Sequence, residues 1–212
     1  MKNLATQRAV PPEGFFWPCR DFADPRSPLR GSLRAGLTPG PVCITNGKTG
    51  LDDRLAAYNN AARFSRWLVL RDLDHDAPCA PKLTRTLLPS PAPRMRLHVA
   101  VRAVESWLLA DREAMAHCLG VPAARVSGDP DALDDPKDHV LALARRSRRK
   151  SIREALLPPE GTSARFGPGY VTSLIDFTNL HWRPHAAEAR SPSLARLLRF
   201  LPRMATGGTV RC

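Results

Sequence analysis

No stretch of this chain approaches the roughly 20 consecutive apolar residues that a membrane-spanning helix requires. Its first eight residues, MKNLATQR, lack the apolar core of a secretory leader. The expectation is a soluble, cytoplasmic protein without a membrane partner. Cysteine is sparse: five residues (19, 43, 79, 118 and 212), an odd number with no Cys-x-x-Cys pair. That argues against a disulfide framework and against a cysteine zinc site. The Asp-His-Asp-x-x-Cys run offers only His75 and Cys79, and two scattered ligands rarely suffice for zinc. There is no internal repeat and no heptad seam. A complete phosphate loop is missing too. Gly47-Lys48-Thr49 precedes a helical pattern, but the glycine required five residues before Gly47 is replaced by Val42. Acids are outnumbered, 20 against 32 basic residues, and the net charge is +12. Nearly all of that positive charge is arginine, which grips phosphates bidentately. Proteome-wide enrichment in arginine and proline gives the same composition without a ligand, so charge alone favours a nucleic-acid partner only modestly.

What the chain does have is enough apolar sequence, 43% of 212 residues, to bury one sizeable core. It also has 21 prolines, which cut it into short elements. Residues 1–41 are proline-rich and show no sustained period. Val42-Cys43-Ile44-Thr45 reads as a short buried strand, and residues 51–64 as an amphipathic helix. Trp67-Leu68-Val69-Leu70 is a continuous apolar run, expected of a parallel strand covered on both faces. Residues 80–88 predict a short helix. Residues 95–103 alternate as a strand does, with Leu97, Val99 and Val101 on one side. They pass directly into a helical pattern from Val104. Three strands separated by helices predict a βαβαβ core with a parallel sheet. From residue 121 onward helical patterns dominate: one starting at Asp135-Pro136, one over 171–182, and one capped by Ser191-Pro192-Ser193. The expected organisation is a poorly defined segment (1–41), an α/β core (42–120), a helical extension packed on that core (121–203) and a flexible tail (204–212).

The chemistry concentrates after the central strand. Asp72, Asp74 and Asp76 follow its apolar run at alternate positions, and ligands of open α/β sheets bind outside the carboxyl ends of the strands. Carboxylates so crowded need a counter-charge, for which a hard cation, Mg²⁺ or Mn²⁺, is suited. Glu105 follows the next strand at the same edge. With Asp72, Asp74 and Asp76 it completes a candidate metal-ligand set, with Asp72 and Glu105 as candidate catalytic residues. The plain alternatives are an Asp-rich turn and a glutamate placed by its helix dipole. Lys48 and the basic run Arg145, Arg146, Arg148, Arg149 and Lys150 are the candidate contacts for a nucleic-acid backbone, although such a run is usually a solvated helix face.

The Leu68-Val69-Leu70-Arg71-Asp72-Leu73-Asp74 stretch, placed after a strand–helix unit, resembles the TOPRIM fold, the metal-binding domain of type II topoisomerases, bacterial primases and OLD-type nucleases. Asp72-Leu73-Asp74, Cys79-Ala80-Pro81, the Glu105-Ser106-Trp107-Leu108-Leu109-Ala110-Asp111 run, Asp135-Pro136-Lys137, Gly167-Pro168-Gly169-Tyr170 and Ser191-Pro192-Ser193-Leu194 are similar to a bacterial family grouped with TOPRIM-like proteins. The resemblance covers about residues 46–201. It implies a small parallel Rossmann-like sheet flanked by helices and Mg²⁺-dependent phosphodiester hydrolysis on DNA or RNA. One departure stands out. TOPRIM enzymes carry a glutamate after the first strand, typically before glycine, and the Glu-Gly pairs here are Glu13-Gly14 and Glu160-Gly161. The competing expectation is therefore an inactive TOPRIM-like scaffold that binds nucleic acid or a partner protein.

Overall fold

The computed structural model describes Cys43, Thr45 and residues 47–205. Its centre is one β–α–β unit: strand β1 (Trp67–Asp72), a crossing helix over Ala80–Leu87, and strand β2 (Met95–Ala100). The strands pair in parallel from Trp67 opposite Met95 to Asp72 opposite Ala100. The apolar run of β1 is covered on both faces, as its composition requires. Val69 belongs to one cluster with Leu51, Leu55, Leu83, Leu97 and Val99, while Leu68 and Leu70 pack against a second, larger one.

Among the described residues the sheet has two strands rather than the three expected. Of the proposed first strand, Cys43 and Thr45 are in no regular element, and Val42 and Ile44 lie outside the described residues. The backbone turns at this point. Gly47 donates its N–H to the Thr45 carbonyl and adopts a φ of 71°, a conformation glycine takes without steric cost. The segment 1–41 and residues 206–212 also lie outside the described residues.

The helices follow from proline, glycine and acid positions. Helix α1 (Gly47–Asp52) and α2 (Leu55–Ala61) replace the single helix expected over 51–64. Helix α3 is the crossing helix over Ala80–Leu87. The pattern from Val104 is split at Asp111 into α4 (Val104–Ala110) and α5 (Arg112–Leu119). Asp111 caps α5 by accepting from the Ala114 N–H, and its buried carboxylate is gripped by Arg183. The remaining helices are α6 (Pro136–Arg145), α7 (Lys150–Leu156), α8 (Tyr170–Leu180), α9 (Pro184–Ala187) and α10 (Pro192–Ala205). Asp135 and Pro136 start α6 as predicted: Asp135 accepts from the Asp138 N–H at 2.9 Å, and Pro136 occupies the first turn.

The helical half shares its core with the sheet. One cluster joins Ala100 of β2 to Trp107, Leu108, Leu141, Leu156, Phe177 and Leu194. Helix α10 is pinned to β2 and α4 by polar contacts: the Ser193 carbonyl accepts from His98 Nε2 at 3.0 Å, and Ser193 Oγ accepts from Trp107 Nε1 of α4 at 2.7 Å. In α8 the buried face is Tyr170, Leu174, Phe177 and Thr178, and the apolar Val171 and Leu180 project outward instead of into the core. A helix exposes some of its apolar positions when only one side meets the core.

The loop before α8 depends on close backbone approach. Gly167 donates to the Leu156 carbonyl at 2.8 Å, and Gly169 to that of Ala155 at 2.9 Å. A Cβ at Gly167 would stand 2.4 Å from one backbone oxygen and 2.5 Å from another. Gly167→Ala is therefore expected to cost about 2 kcal/mol or more, since forced overpacking typically costs 1–3. Gly128→Ala, at a position with open space around it, is expected to stay within about 0.5 kcal/mol of the parent. Urea unfolding of both variants checks this, and equal stabilities would contradict it.

Candidate functional site

Both strands end at one edge, and the acids gather there because of what the chain does next. Asp72 is the last residue of β1, and its Oδ1 accepts from the Val104 N–H at 3.0 Å. Val104 opens α4, whose preceding residue Ala103 has no side chain able to cap it. The carboxylate of one strand thus satisfies an orphan donor of the helix that follows the other strand. Asp74 sits in a left-handed turn with φ 45°, which aspartate tolerates better than most residues. It donates its N–H to the Arg102 carbonyl at 2.8 Å, while Arg102 Nη1 donates to the Asp74 carbonyl at 3.0 Å. Glu105 stands in the first turn of α4 with no solvent exposure.

These three acids meet at one side chain. Lys137 Nζ lies 3.3 Å from Asp72 Oδ2, 3.4 Å from Asp74 Oδ1 and 3.9 Å from Glu105 Oε2. Glu105 Oε1 accepts from the Tyr170 hydroxyl at 3.4 Å, whereas Oε2 is buried without a hydrogen-bond partner. Asp72, Asp74 and Glu105, expected to share a metal ion, are gathered instead around an ammonium group. Among the described residues, no three His, Cys, Asp or Glu side chains are arranged to hold a metal between them.

Asp76 does not join this group. Its Oδ1 accepts from Lys48 at 2.8 Å and its Oδ2 from Arg71 at 2.7 Å. Arg71, buried within β1, also forks onto both oxygens of Asp52 and donates to the Asp72 carbonyl. Lys48 is drawn in as well, bridging Asp76 and Asp74 Oδ2 at the open rim rather than extending freely. The basic run lies elsewhere. Arg145 ends α6, eight residues from Lys137, or about 12 Å along the helix axis. Arg146 donates to the Ala142 carbonyl, Arg149 donates to the Cys118 carbonyl and lies against Gly120, and Lys150 pairs with Glu154. Arg145 and Arg148 are exposed. Of the two glutamates with a following glycine, Glu160 is exposed beyond α7, and Glu13 lies outside the described residues.

Lys137 is the residue that pattern reading missed. Its signal was present: a lysine in the first turn of α6 sits at the helix end that repels cations. Nearby acids are what make that position favourable. Tyr170 gave no such signal, since its contact with Glu105 spans 65 positions.

Burial and charge set the protonation states. Burial pushes the Glu105 carboxyl up to about 7, with Asp72 adding to the rise and Lys137 opposing it. Burial likewise holds Asp72 above the usual carboxylate range, against the pull of Lys137. For Lys137 burial favours loss of the proton, but Glu105, Asp72 and Asp74 together outweigh it and hold the ammonium charged. Asp76 goes the other way. Despite some desolvation, its hydrogen bonds from Lys48 and Arg71 keep it below the usual range.

No family model, curated protein or solved structure matches this chain.

The raised Glu105 pKa has a pH signature. Between pH 4.5 and about 7 the folded chain keeps a proton on Glu105 that the unfolded chain has released. This contribution to stability therefore falls as pH rises through that window. His98 acts in the opposite sense. Burial lowers it from 6.5 to about 4, so stability falls as pH drops through that range. The two partly cancel in the parent protein. Glu105→Gln removes the first, leaves His98 in place and, by reciprocity, also relaxes the rise of Asp72 in the same sense. Its stability relative to the parent is expected to rise by about 2–3 kcal/mol from pH 4.5 to 7, because each tenfold difference in proton affinity is worth about 1.4 kcal/mol. Chemical denaturation at several pH values measures this. A difference that does not change with pH would contradict the assignment.

Proposed function

We propose that this chain is a TOPRIM-like, divalent-cation-dependent hydrolase of nucleic-acid phosphodiesters. The observation that carries the proposal is the meeting of Asp72, Asp74 and Glu105, from two separate chain segments, around a single cationic position at the carboxyl edge of a parallel sheet. The donor set suits Mg²⁺ or Mn²⁺, since all three donors are hard oxygens. Glu105 Oε2 adds a fully buried acceptor that no hydrogen bond satisfies. Asp72 and Asp74 would hold the ion, with Glu105 behind them. A bound ion of this kind polarises a phosphoryl oxygen and lowers the pKa of its water.

The chain's own residues divide the remaining work. The Asp74 side chain is about a third exposed (32%) and faces the substrate side, whereas Glu105 is sealed (0%). Glu105 therefore acts on the site through its charge and its proton, not by touching substrate. This revises the part expected of it from sequence. Lys137 is charged and cannot serve as a base; it supplies positive charge beside the acids. Lys48 at the rim and the exposed Arg145 and Arg148 would contact phosphates without reading sequence.

A second reading has its own observation in its favour. Asp72, Asp74 and Asp76 each already lie beside a lysine or arginine of the protein. In that reading the cluster is structural, and the chain is a scaffold for nucleic acid or for a partner protein.

Calorimetric titration with Mn²⁺ and Mg²⁺ separates the two. The hydrolase reading predicts one site per chain, lost in Asp72→Asn and Asp74→Ala. It also predicts cation-dependent cleavage of single- or double-stranded DNA or RNA that falls at least 100-fold in Asp74→Ala, about 2.7 kcal/mol in barrier. Unchanged cleavage by Asp74→Ala, or no cation binding at all, would remove it.

A further inference from the structure

We propose that Lys137 is a tethered counter-ion of this site: it holds the three acids together in the cation-free chain and gives up its place when a divalent ion binds. The inference rests on the cation-dependent reading above and adds a competition to it.

Four observations lead there. First, the Lys137 side chain is only 11% exposed and its ammonium sits among Asp72 Oδ2, Asp74 Oδ1 and Glu105 Oε2, the atoms that would face an ion. Second, its three distances, 3.3, 3.4 and 3.9 Å, all exceed the 2.7–3.2 Å of a well-formed N–H···O bond. The ammonium donates long hydrogen bonds to Asp72 and Asp74, and Glu105 Oε2 is left without one. Third, the position is unfavourable for lysine except for those acids. It lies in the first turn of α6, where the helix dipole repels a cation. Fourth, the backbone beneath it is held by contacts that do not involve the lysine side chain. The α6 cap Asp135 is held by Arg165, which also reaches Asp138 at 2.9 Å. Arg165 lies over the Phe166 ring, and Phe166 packs on Tyr170, the residue that donates to Glu105. A lysine stem with four rotatable bonds can therefore leave the cluster without α6 moving. Leaving brings the ammonium toward the rim that Lys48 and Asp74 already form.

With all three acids ionised, the exchange lowers the negative charge left on the cluster without cancelling it. Three carboxylates facing one ammonium gain a second positive charge when a divalent ion takes its place, and the released ammonium becomes available to a phosphate of the substrate. Cation affinity in the parent protein is therefore reduced by the work of expelling Lys137.

The test uses the full chain in three forms: parent, Lys137→Met, which keeps the length of the stem without its charge, and Lys137→Arg. Thermal unfolding and calorimetry are run at neutral pH, with and without Mn²⁺, at fixed ionic strength. Lys137→Met is expected to melt lower than the parent without Mn²⁺, to be rescued by Mn²⁺ by a larger shift than the parent shows, and to bind Mn²⁺ at least tenfold more tightly. Lys137→Arg is expected to bind it no more tightly than the parent. Should Lys137→Met fail to fold, acylation of the parent with an amine-reactive ester, read by mass spectrometry, carries the test. Mn²⁺ should increase modification of Lys137 relative to the exposed Lys82. Mn²⁺ binding to Lys137→Met that equals or falls below that of the parent would overturn the competition while leaving the cation site standing. So would a Lys137 footprint unchanged by Mn²⁺ that the parent binds. Absence of Mn²⁺ binding in both parent and Lys137→Met would instead overturn the site itself.

Discussion

The arrangement depends on one carboxylate doing two things at once. Asp72 commits Oδ1 to the first amide of α4 and points Oδ2 at Lys137. The first contact ties the end of β1 to the start of the helix that follows β2, which is what brings Glu105 to the same edge. The second draws α6 in through its first turn. Without that carboxylate the amide of Val104 would be an unsatisfied donor, and the lysine would be a buried charge short of a partner, a combination that is costly in a low-dielectric interior.

Around this point the electrostatics form two layers. In the deeper one, Asp72 and Glu105 are both pushed toward protonation by burial and held back by Lys137. In the outer one, Asp76 stays ionised under Lys48 and Arg71. Asp74 joins the layers, with one oxygen toward Lys137 and the other toward Lys48. In both layers a lysine or arginine of the protein itself offsets the acids.

How much of this was legible in the sequence follows the range of the forces involved. Some local signals were reliable, though among the described residues the strand expected over 42–45 and the single helix over 51–64 were not found. The four apolar residues of β1, the alternation of β2 and the Asp135-Pro136 start of α6 each predicted an element found close to where it was expected. The parallel pairing and the gathering of Asp72, Asp74 and Glu105 at one edge also followed from local pattern plus the rule for strand ends. What failed were pairings between particular side chains. Asp76 continues the alternate spacing of Asp72 and Asp74, yet Arg71 and Lys48 turn it to a different set of partners. Lys137 stands 65 positions from Asp72, and no period or motif links them. The resemblance to TOPRIM domains pointed to the acids but assigned no part to this lysine. Helical periodicity identifies an apolar stripe without saying how wide a surface will cover it, and Val171 and Leu180 are exposed.

If these acids form a cation site for which Lys137 stands in, anomalous scattering from crystals grown with Mn²⁺ will show the exchange. The expected result is a single strong peak within coordination distance of Asp72 Oδ2 and Asp74 Oδ1, with the Lys137 ammonium displaced toward the rim. No peak at that position, with Lys137 still among Asp72, Asp74 and Glu105 at millimolar Mn²⁺, would contradict it.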